Sequence, residues 1–251
     1  AQDIRPLEWM ILSLFSPTTW TIVGDLNQRR AEHSYRSWTE VARLLGGDWP
    51  DPVTLADGYR STQAVMDLAS AVLPKRGGRT NAVLGRGEPP VVLNARDLKS
   101  QPEALALRAV KTLAGKYSKG SVALIYPHTQ LLTPILRKNG WTPLQRGDWW
   151  THPDNATSAS GDPLRFRLLN PEQARGIEFD AVVILEPADF PKTTLLGHGQ
   201  LYTAITRANR EIVLVHNKPL APAQLADAVR RMPTRSAREF LESGSRRGRD
   251  G

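Results

Sequence analysis

The run Ala181-Val182-Val183-Ile184-Leu185 places five apolar residues in succession, three of them β-branched. A strand with one face in water alternates apolar and polar side chains, whereas a strand that is covered on both faces does not. The run therefore predicts a buried strand in a parallel-rich sheet that carries helices on both faces, which is an α/β fold.

Further β-rich runs recur along the chain and are separated mostly by amphipathic stretches of helical length. This alternation of strand and helix is typical of the same α/β class. The predicted strands cover residues 21–23, 53–56, 91–94, 121–126, 165–169, 181–186 and 211–216.

Helix boundaries are marked by capping residues, proline and glycine. Ser61 or Thr62 is placed to cap a helix that reaches about residue 73, and Pro102 opens one that reaches about residue 116. The other predicted segments are a helix at 128–139, a long irregular loop at 146–162, the last helix at 222–232 and a disordered end at 244–251.

The composition is that of a globular chain. Of its 251 residues, 40% are hydrophobic and 23% are charged, which suffices for one large domain or two small ones. The sequence has no run of eighteen apolar residues and no signal-like start, so we expect neither a membrane span nor export. The absence of cysteine excludes disulfides and thiolate metal sites, and it fits a cytoplasmic location.

The net charge of +8 and the pI of about 10.0 indicate an anionic partner or a basic tail. A solvated tail is the favoured interpretation, and a nucleic-acid patch is the alternative. The clustered residues are Arg230, Arg231, Arg235, Arg238, Arg246, Arg247 and Arg249.

Tryptophan is frequent, with seven residues. Trp9, Trp20 and Trp49 have apolar neighbours in the sequence and are predicted to lie in a core. The pair Trp149-Trp150 lies in the predicted loop, where a lid over the core and a contact with a partner are equally consistent with the pattern.

Three polar signatures each carry an arginine or an amide with no evident packing role. They are Gly24-Asp25-x-x-Gln28, Gly58-Tyr59-Arg60-Ser61 and the run from Tyr202 to Arg207. The planar, charged fork of arginine suits phosphate oxygens, so the set is typical of a nucleoside triphosphate site shared between two lobes. The chain contains no Gly-x-x-x-x-Gly-Lys-Ser/Thr loop, so the phosphate-cradling half of such a site is not on it.

These signatures resemble the motifs of superfamily 1 helicases of the UvrD/Rep type, in the order that the family has them. Gln2-Asp3 resembles the end of motif II, Gly24-Asp25-x-x-Gln28 motif III and Tyr59-Arg60-Ser61 motif IV. The stretches 173–180 and 201–208 are similar to motifs V and VI, with Arg175 and Ile177 in place of the usual Lys and Leu. The resemblance implies a RecA-like α/β fold of the P-loop NTPase type.

Details resemble one branch, the HelD-type proteins that associate with bacterial RNA polymerase. The stretches 23–28, 37–41 and 182–188 are similar to that branch. Asn170 and Glu172 replace the Thr-x-His that usually precedes the motif V core and touches the nucleic-acid backbone in the family. A carboxylate at position 172 would repel a phosphate, which favours the polymerase-associated branch over the repair helicases.

The resemblance implies a role for each site residue. Arg207 and Arg60 would reach the γ-phosphate of ATP, and Gln28 would couple that phosphate to the DNA side. The residues implied to bind nucleotide are Gln2, Tyr59, Glu178 and Gly176, and those implied to bind nucleic acid are Trp38, Asn170 and Arg175. No metal-binding residue is assigned, because the Asp-Glu pair that would hold Mg²⁺ is expected upstream of Ala1.

The three charged residues Arg207, Arg60 and Glu178 also have structural explanations. Arg207 fits a surface arginine near a helix end, and Arg60 fits a loop residue before a helix. Glu178 fits a structural salt bridge. If they share a site, then Arg60, Glu178 and Arg207 should meet at the carboxyl ends of the parallel strands, because each lies beyond or beside a predicted strand.

The resemblance also implies a domain organisation. Residues 1–48 would end a RecA-like domain 1A, residues 49–217 would form domain 2A, and residues 218–251 would form a last helix and a basic tail. The parent would be an ATP-dependent DNA helicase that uses ATP and Mg²⁺ and binds DNA and its own N-terminal RecA-like domain. The fragment alone is expected to hold no cofactor and to hydrolyse no ATP. A docking module for RNA polymerase and a degenerate domain without a nucleotide role are the alternatives.

Overall fold

The computed structural model describes residues 1–15, 20–28, 35–46, 49–55, 57–73, 81–145, 147–153, 162–191 and 199–246. Within these segments, no helix combines the length and the apolar character that a membrane span requires. Arg247 and Arg249 of the basic cluster, and most of the predicted disordered end, lie outside the described residues.

The described residues form helices and strands in alternation. The helices are α1 Pro6–Phe15, α2 Trp38–Leu45, α3 Gln63–Ser70, α4 Pro102–Lys116, α5 Thr129–Lys138, α6 Gly199–Ile205, α7 Ala223–Arg231 and α8 Ala237–Arg246, with short 3-10 turns at Leu26–Gln28 and Pro187–Asp189. The strands are β1 Asp57–Gly58, β2 Asn81–Ala82, β3 Val91–Asn94, β4 Val122–Ile125, β5 Thr142–Pro143, β6 Trp149–His152, β7 Leu164–Leu169, β8 Phe179–Leu185 and β9 Ala208–His216.

The main sheet has the strand order β3-β9-β8-β4-β7-β6-β5. The strands from β3 to β7 in that order are parallel, and β6 and β5 extend the sheet as antiparallel strands. Strands β1 and β2 form a separate parallel pair. The predicted α/β, RecA-like arrangement of a parallel-rich sheet with helices on both faces is confirmed.

Alternate side chains of β8 enter two different cores. Ala181, Val183 and Leu185 pack with α4, α5 and α8 on one face of the sheet. Val182 and Ile184 pack with α3, α6 and α7 on the other. Each large apolar side chain that is fully buried in this way contributes about 1.5–3 kcal/mol. The apolar run therefore forms a central strand because both of its faces are covered.

The two earliest predicted strands do not form. Residues 21–23 and 53–55 belong to no strand in the described structure, residue 56 lies outside it, and Val23 and Val53 are exposed. A strand is stabilised by pairing with a neighbour, and no neighbour lies beside these runs among the described residues. A β-rich composition was thus not sufficient to form a strand at these positions.

The predicted loop at 146–162 contains a strand. Strand β6 pairs antiparallel with β7, and Trp150 lies opposite Phe166. Trp150 is buried in the main core. Of the two alternatives for Trp149-Trp150, the structure favours the one that covers the core for Trp150, because the ladder with β7 turns this side chain inward.

The N-terminal segment has a small core of its own. Trp9, Tyr35 and Val41 are buried together, and Trp20 and Trp38 pack against them. Ser37 caps the start of helix α2, since its Oγ accepts from the Glu40 amide, and a Glu40 carboxylate oxygen accepts from the amide of Arg36 just before the cap. Of the tryptophans predicted to be core, Trp9 is buried and Trp20 is half-buried.

The predicted last helix, α7, is followed by α8, which packs on α4 through the buried Phe240. Between them, Arg235 forms an ion pair with Glu211, which is 0% exposed. Lys116 Nζ and the Tyr117 hydroxyl donate to the other Glu211 oxygen at 2.7 and 3.1 Å. The solvated-tail interpretation is therefore wrong for Arg235, which fastens the C-terminal segment to the sheet.

Candidate functional site

Arg207 and Glu178 lie side by side at one end of the sheet. Glu178 immediately precedes β8 and Arg207 immediately precedes β9, and the two strands are neighbours. The Phe179 amide donates to the Arg207 carbonyl at 2.9 Å, which fixes the two backbones together. The residues thus meet at the amino ends of the parallel strands. The predicted carboxyl edge was wrong, because both residues come before their strands.

Arg60 reaches the same end of the sheet from a distant part of the chain. The Ser61 hydroxyl donates to the Ala208 carbonyl at 2.8 Å, and the Thr62 amide donates to the Asn209 carbonyl at 2.9 Å. These bonds anchor the turn before α3 on the start of β9. Arg60 Nε then lies 3.0 Å from a Glu178 carboxylate oxygen.

The ion pair between Arg60 and Glu178 is open to solvent. The side chain of Arg60 is 76% exposed and that of Glu178 is 34% exposed. Such pairs contribute about 0–1 kcal/mol to stability. The salt-bridge explanation of Glu178 describes this contact correctly, but the contact is too weak to account for the local fold. Arg60 keeps most of its guanidinium accessible to an anion.

Arg207 is held in place and is not a surface arginine. The residue is 5% exposed. Its Nε donates to the Thr203 carbonyl at 3.0 Å, and its Nη1 lies 3.5 Å from the Ile177 carbonyl. Burial lowers the pKa of Arg207, while the nearby Glu178 carboxylate raises it. An arginine remains protonated under these conditions, so the site holds an oriented cation.

Gln28 extends the contacts of Arg207 into the N-terminal segment. Arg207 Nη2 donates to Gln28 Oε1 at 3.1 Å and to Thr206 Oγ1 at 3.3 Å. Gln28 Nε2 donates to Asp25 Oδ2 at 3.0 Å. Burial and the Asp25 carboxylate raise the pKa of Tyr202 well above its usual value.

Gly24 allows the two ends of this segment to pack closely. A β-carbon on Gly24 would lie 2.7 Å from Gln2 Oε1 and 2.8 Å from the Trp38 ring. Gln2 Oε1 accepts from the Asp25 amide at 3.4 Å. Gln2 therefore supports the turn at Asp25. The structure places this predicted nucleotide-binding residue beside that turn.

Arg175 lies between the turn after β7 and the N-terminal segment. It forms ion pairs with Glu172 at 3.1 Å and with Asp3 at 3.4 Å, and it donates to the Gln28 carbonyl. Its side chain is 10% exposed, and its Nη2 has no hydrogen-bond partner among the described residues. The structure thus brings this predicted nucleic-acid contact to the Gln28 side of the site.

The other predicted nucleic-acid contacts, Asn170 and Trp38, have partners within the chain. Asn170 and Gln173 cap each other, since each side-chain oxygen accepts from the other amide at 2.9 Å. Trp38 is half-buried and lies 5.9 Å from the Tyr35 ring.

Tyr59 and Gly176 complete the predicted set. Tyr59 is 70% exposed, so it does not pack beneath Arg60. Gly176 has a φ of 71°, which residues other than glycine rarely adopt. This conformation permits the turn that leads back from β7 to β8. The position of Gly176 is explained by this turn.

Sequence reasoning missed two contributors, Asp25 and Tyr202. Asp25 was quoted within the Gly24-Asp25-x-x-Gln28 signature without a role, and its Oδ1 accepts from the Asn27 amide at 2.9 Å, as in an Asx turn. Tyr202 was quoted within motif VI without a role. A buried tyrosine needs a partner for its hydroxyl, but no local pattern points to Asp25.

The residues present suit the phosphates of ATP better than its metal ion. The guanidinium groups of Arg60 and Arg175 lie close enough to Arg207 to lower its pKa. One buried Arg175 nitrogen lacks a partner among the described residues. Such groups bind phosphate oxygens. No cluster of three or more His, Asp or Glu that would hold a metal ion occurs in the part of the chain that the structure describes.

Comparisons with known proteins add little to this geometry. No family model matches the chain, and no curated protein matches it. One similar solved structure is the C-terminal domain of a possible DNA helicase from Lactobacillus plantarum WCFS1. It is 23% identical, with a TM-score of 0.44, over 67% of this chain and 92% of that one. A likeness at this level carries no conclusion about function.

Proposed function

We propose that this chain is the C-terminal motor half of an ATP-dependent superfamily 1 DNA helicase or translocase. In this proposal, Arg60 and Arg207 act on an ATP molecule whose phosphate-binding loop lies on a preceding RecA-like domain of the same protein. The observation that carries the proposal is the convergence of Arg60, Glu178 and Arg207 with Gln28 of the N-terminal segment.

The state of Arg207 supports the proposal. Its guanidinium is buried and is oriented by the carbonyls of Thr203 and Ile177 and by Gln28. A cation fixed in advance stabilises the charge on a transferring phosphoryl group without reorganisation during the reaction. Arg60 supplies a second, exposed cation, and Glu178 keeps that cation near the site.

The roles of the remaining residues follow from the same proposal. Gln2 and Gly176 support the turns that carry Gln28 and Glu178, and Tyr59 presents an exposed ring beside Arg60. ATP and Mg²⁺ are the cofactors of the longer protein, where the ion would be held by carboxylates outside this chain. DNA and the preceding domain are its partners.

The domain organisation is part of the proposal. Residues 1–48 would complete domain 1A, residues 49–217 would form domain 2A, and residues 218–251 would follow as a C-terminal extension. Helix α1 supports this division, because Leu7, Leu14 and Phe15 on it are exposed while Trp9 is buried in the separate N-terminal core. The remainder of domain 1A would cover this apolar surface.

A second candidate function is a HelD-like module that binds RNA polymerase and remodels transcription complexes with little or no unwinding. Glu172 favours it. This carboxylate is exposed in the turn after β7, and its partner Arg175 is turned toward the N-terminal segment. A nucleic-acid backbone that approached this turn would meet a negative charge, which opposes strand translocation by the usual contacts.

ATP hydrolysis by the longer reading frame tests the proposal. The protein that includes the residues encoded upstream of Ala1 should hydrolyse ATP, and Arg207→Ala should abolish turnover while the exposed Arg210→Ala does not. Absence of hydrolysis, or equal activity of the two variants, would refute it. Unwinding of a partial duplex, as opposed to release of RNA polymerase from a stalled complex, separates the two candidate functions.

A further inference from the structure

The two ends of the Gln28 amide have different neighbours. Its nitrogen donates to Asp25 Oδ2 at 3.0 Å, and its oxygen accepts from Arg207 Nη2 at 3.1 Å. The chemistry of the neighbours fixes this orientation, because a carboxylate only accepts and a guanidinium only donates. A flipped amide would place two oxygens together on one side and two donors on the other.

Asp25 is itself fixed from several directions. One carboxylate oxygen accepts from the Asn27 amide at 2.9 Å, and the other accepts from Gln28. This carboxylate also lies near the Tyr202 hydroxyl, whose pKa it raises. Gln2 Oε1 accepts from the Asp25 backbone amide. The carboxylate therefore has little freedom to rotate, and it holds the Gln28 nitrogen in one place.

Tyr202 and Arg207 belong to one short stretch of the chain. Tyr202 approaches the Asp25 carboxylate, and Arg207 binds the Gln28 amide. Both lie on α6 and the turn that follows it, and both are buried. These groups thus form a closed ring, in which Asp25 binds Gln28, Gln28 binds Arg207, the Tyr202 hydroxyl lies near Asp25, and the backbone of 202–207 joins the ends. Members of such a ring affect one another, since each bond limits the movement of the next group.

We propose that Asp25 and Tyr202 are positioning residues that hold Gln28 as a hydrogen-bond acceptor for Arg207. Gln28 then orients the guanidinium toward the phosphate. The use of this geometry in catalysis rests on the proposed function, whereas the geometry itself does not.

The test measures the arginine directly. Rotation of the Arg207 guanidinium about its Nε–Cζ bond is followed by ¹⁵N magnetic resonance on this chain without added nucleotide. Gln28→Ala should accelerate the rotation by about tenfold or more, because a hydrogen bond to a charged group is lost. Tyr202→Phe and Asp25→Asn should each accelerate it by roughly twofold to tenfold, the usual coupling within a shared network.

Tyr117→Phe is the matched control. It removes a partly buried tyrosine hydroxyl that donates to a carboxylate, at 3.1 Å from Glu211, and it lies outside the ring. Arg207 should rotate in this variant as in the wild type. Amide spectra establish that each variant is folded, and Asp25→Asn provides the test if Tyr202→Phe does not fold.

Several results would overturn the proposal. Wild-type rotation in Gln28→Ala would mean that Gln28 does not restrain Arg207. Fast rotation in Gln28→Ala together with wild-type rotation in both Tyr202→Phe and Asp25→Asn would mean that Tyr202 and Asp25 only pack.

The enzymatic measurement separates this inference from the proposed function. In the longer protein, Tyr202→Phe should lower kcat and leave the KM for ATP unchanged. If Arg207 rotation depends on Tyr202, the positioning role is supported whether or not the longer protein hydrolyses ATP. If rotation depends on Tyr202 and the longer protein shows no ATPase activity, the proposed function is refuted and the positioning role is not.

Discussion

Replacement of Arg207 tests the central feature of the site, a buried cation held in one orientation. Arg207→Ala in the longer protein removes the guanidinium together with its bonds to Thr203, Thr206 and Gln28. A cation aimed at the γ-phosphate binds the transition state more strongly than the ground state, so its loss should appear in the rate. ATP binding should be largely unchanged.

The expected magnitude follows from the geometry. Arginines in this role contribute roughly 10³ to 10⁵ in turnover, which corresponds to about 4–7 kcal/mol of transition-state stabilisation. Arg207→Lys should recover only a small part. The donors that bind Thr203 and Gln28 are two different nitrogens of one planar group, and a lysine has a single nitrogen that lacks this fork.

Steady-state ATPase rates and a nucleotide titration, performed on the same preparations, give the two quantities. Arg210→Ala is the control, because Arg210 lies near the start of the same strand but is 66% exposed, with its Nε 3.4 Å from Asp180. Near-normal turnover of Arg207→Ala would show that Arg207 is a structural residue. Equal losses in kcat and in ATP affinity would contradict the transition-state role.

Four further predictions concern this chain by itself. Purified alone, it should release no phosphate from ATP above a blank, because it lacks the phosphate loop; turnover abolished by Arg207→Ala would contradict this. Glu211→Gln should lower the free energy of unfolding in urea by about 3–5 kcal/mol, because it leaves Arg235 and Lys116 unpaired; a change as small as that of the exposed Glu242→Gln would count against it. Gly24→Ala should cost about 1–3 kcal/mol in the same assay, since the added carbon meets Gln2 and Trp38, and an unchanged midpoint would disprove the close packing. Burial and the neighbouring Asp189 raise the pKa of Tyr126 to about 12, so its contribution to stability is present below the unfolded pKa of about 10 and is lost between pH 10 and 12; Tyr126→Phe should show a smaller decline over that range, and parallel curves would contradict the assignment.

The sequence alone determined the parts of this protein that depend on local pattern. The apolar run at 181–185 predicted a central strand covered on both faces, and Pro102 and Gly140 marked a helix start and a helix end. Arg60, Gln28, Glu178 and Arg207 were identified as one set from their motifs. The pattern succeeded here because periodicity and capping are properties of neighbouring residues.

Other features were decided by the tertiary structure alone. Strand β6 exists because β7 pairs with it, whereas the equally β-rich residues 21–23 have no paired strand in the described structure. The edge of the sheet on which the site lies followed from the direction in which the chain enters β8 and β9. The burial of Glu211 depended on Arg235, 24 positions away.

The ring around Gln28 shows the physical reason most clearly. Gln28 and Arg207 are 179 positions apart in the sequence, and Asp25 and Tyr202, which also lie close together, have a similar separation. A sequence pattern reports which residues share a face of one helix or strand, because that depends on the local repeat of the backbone. Which donor meets which acceptor depends on how separate elements pack, and only the folded chain decides it.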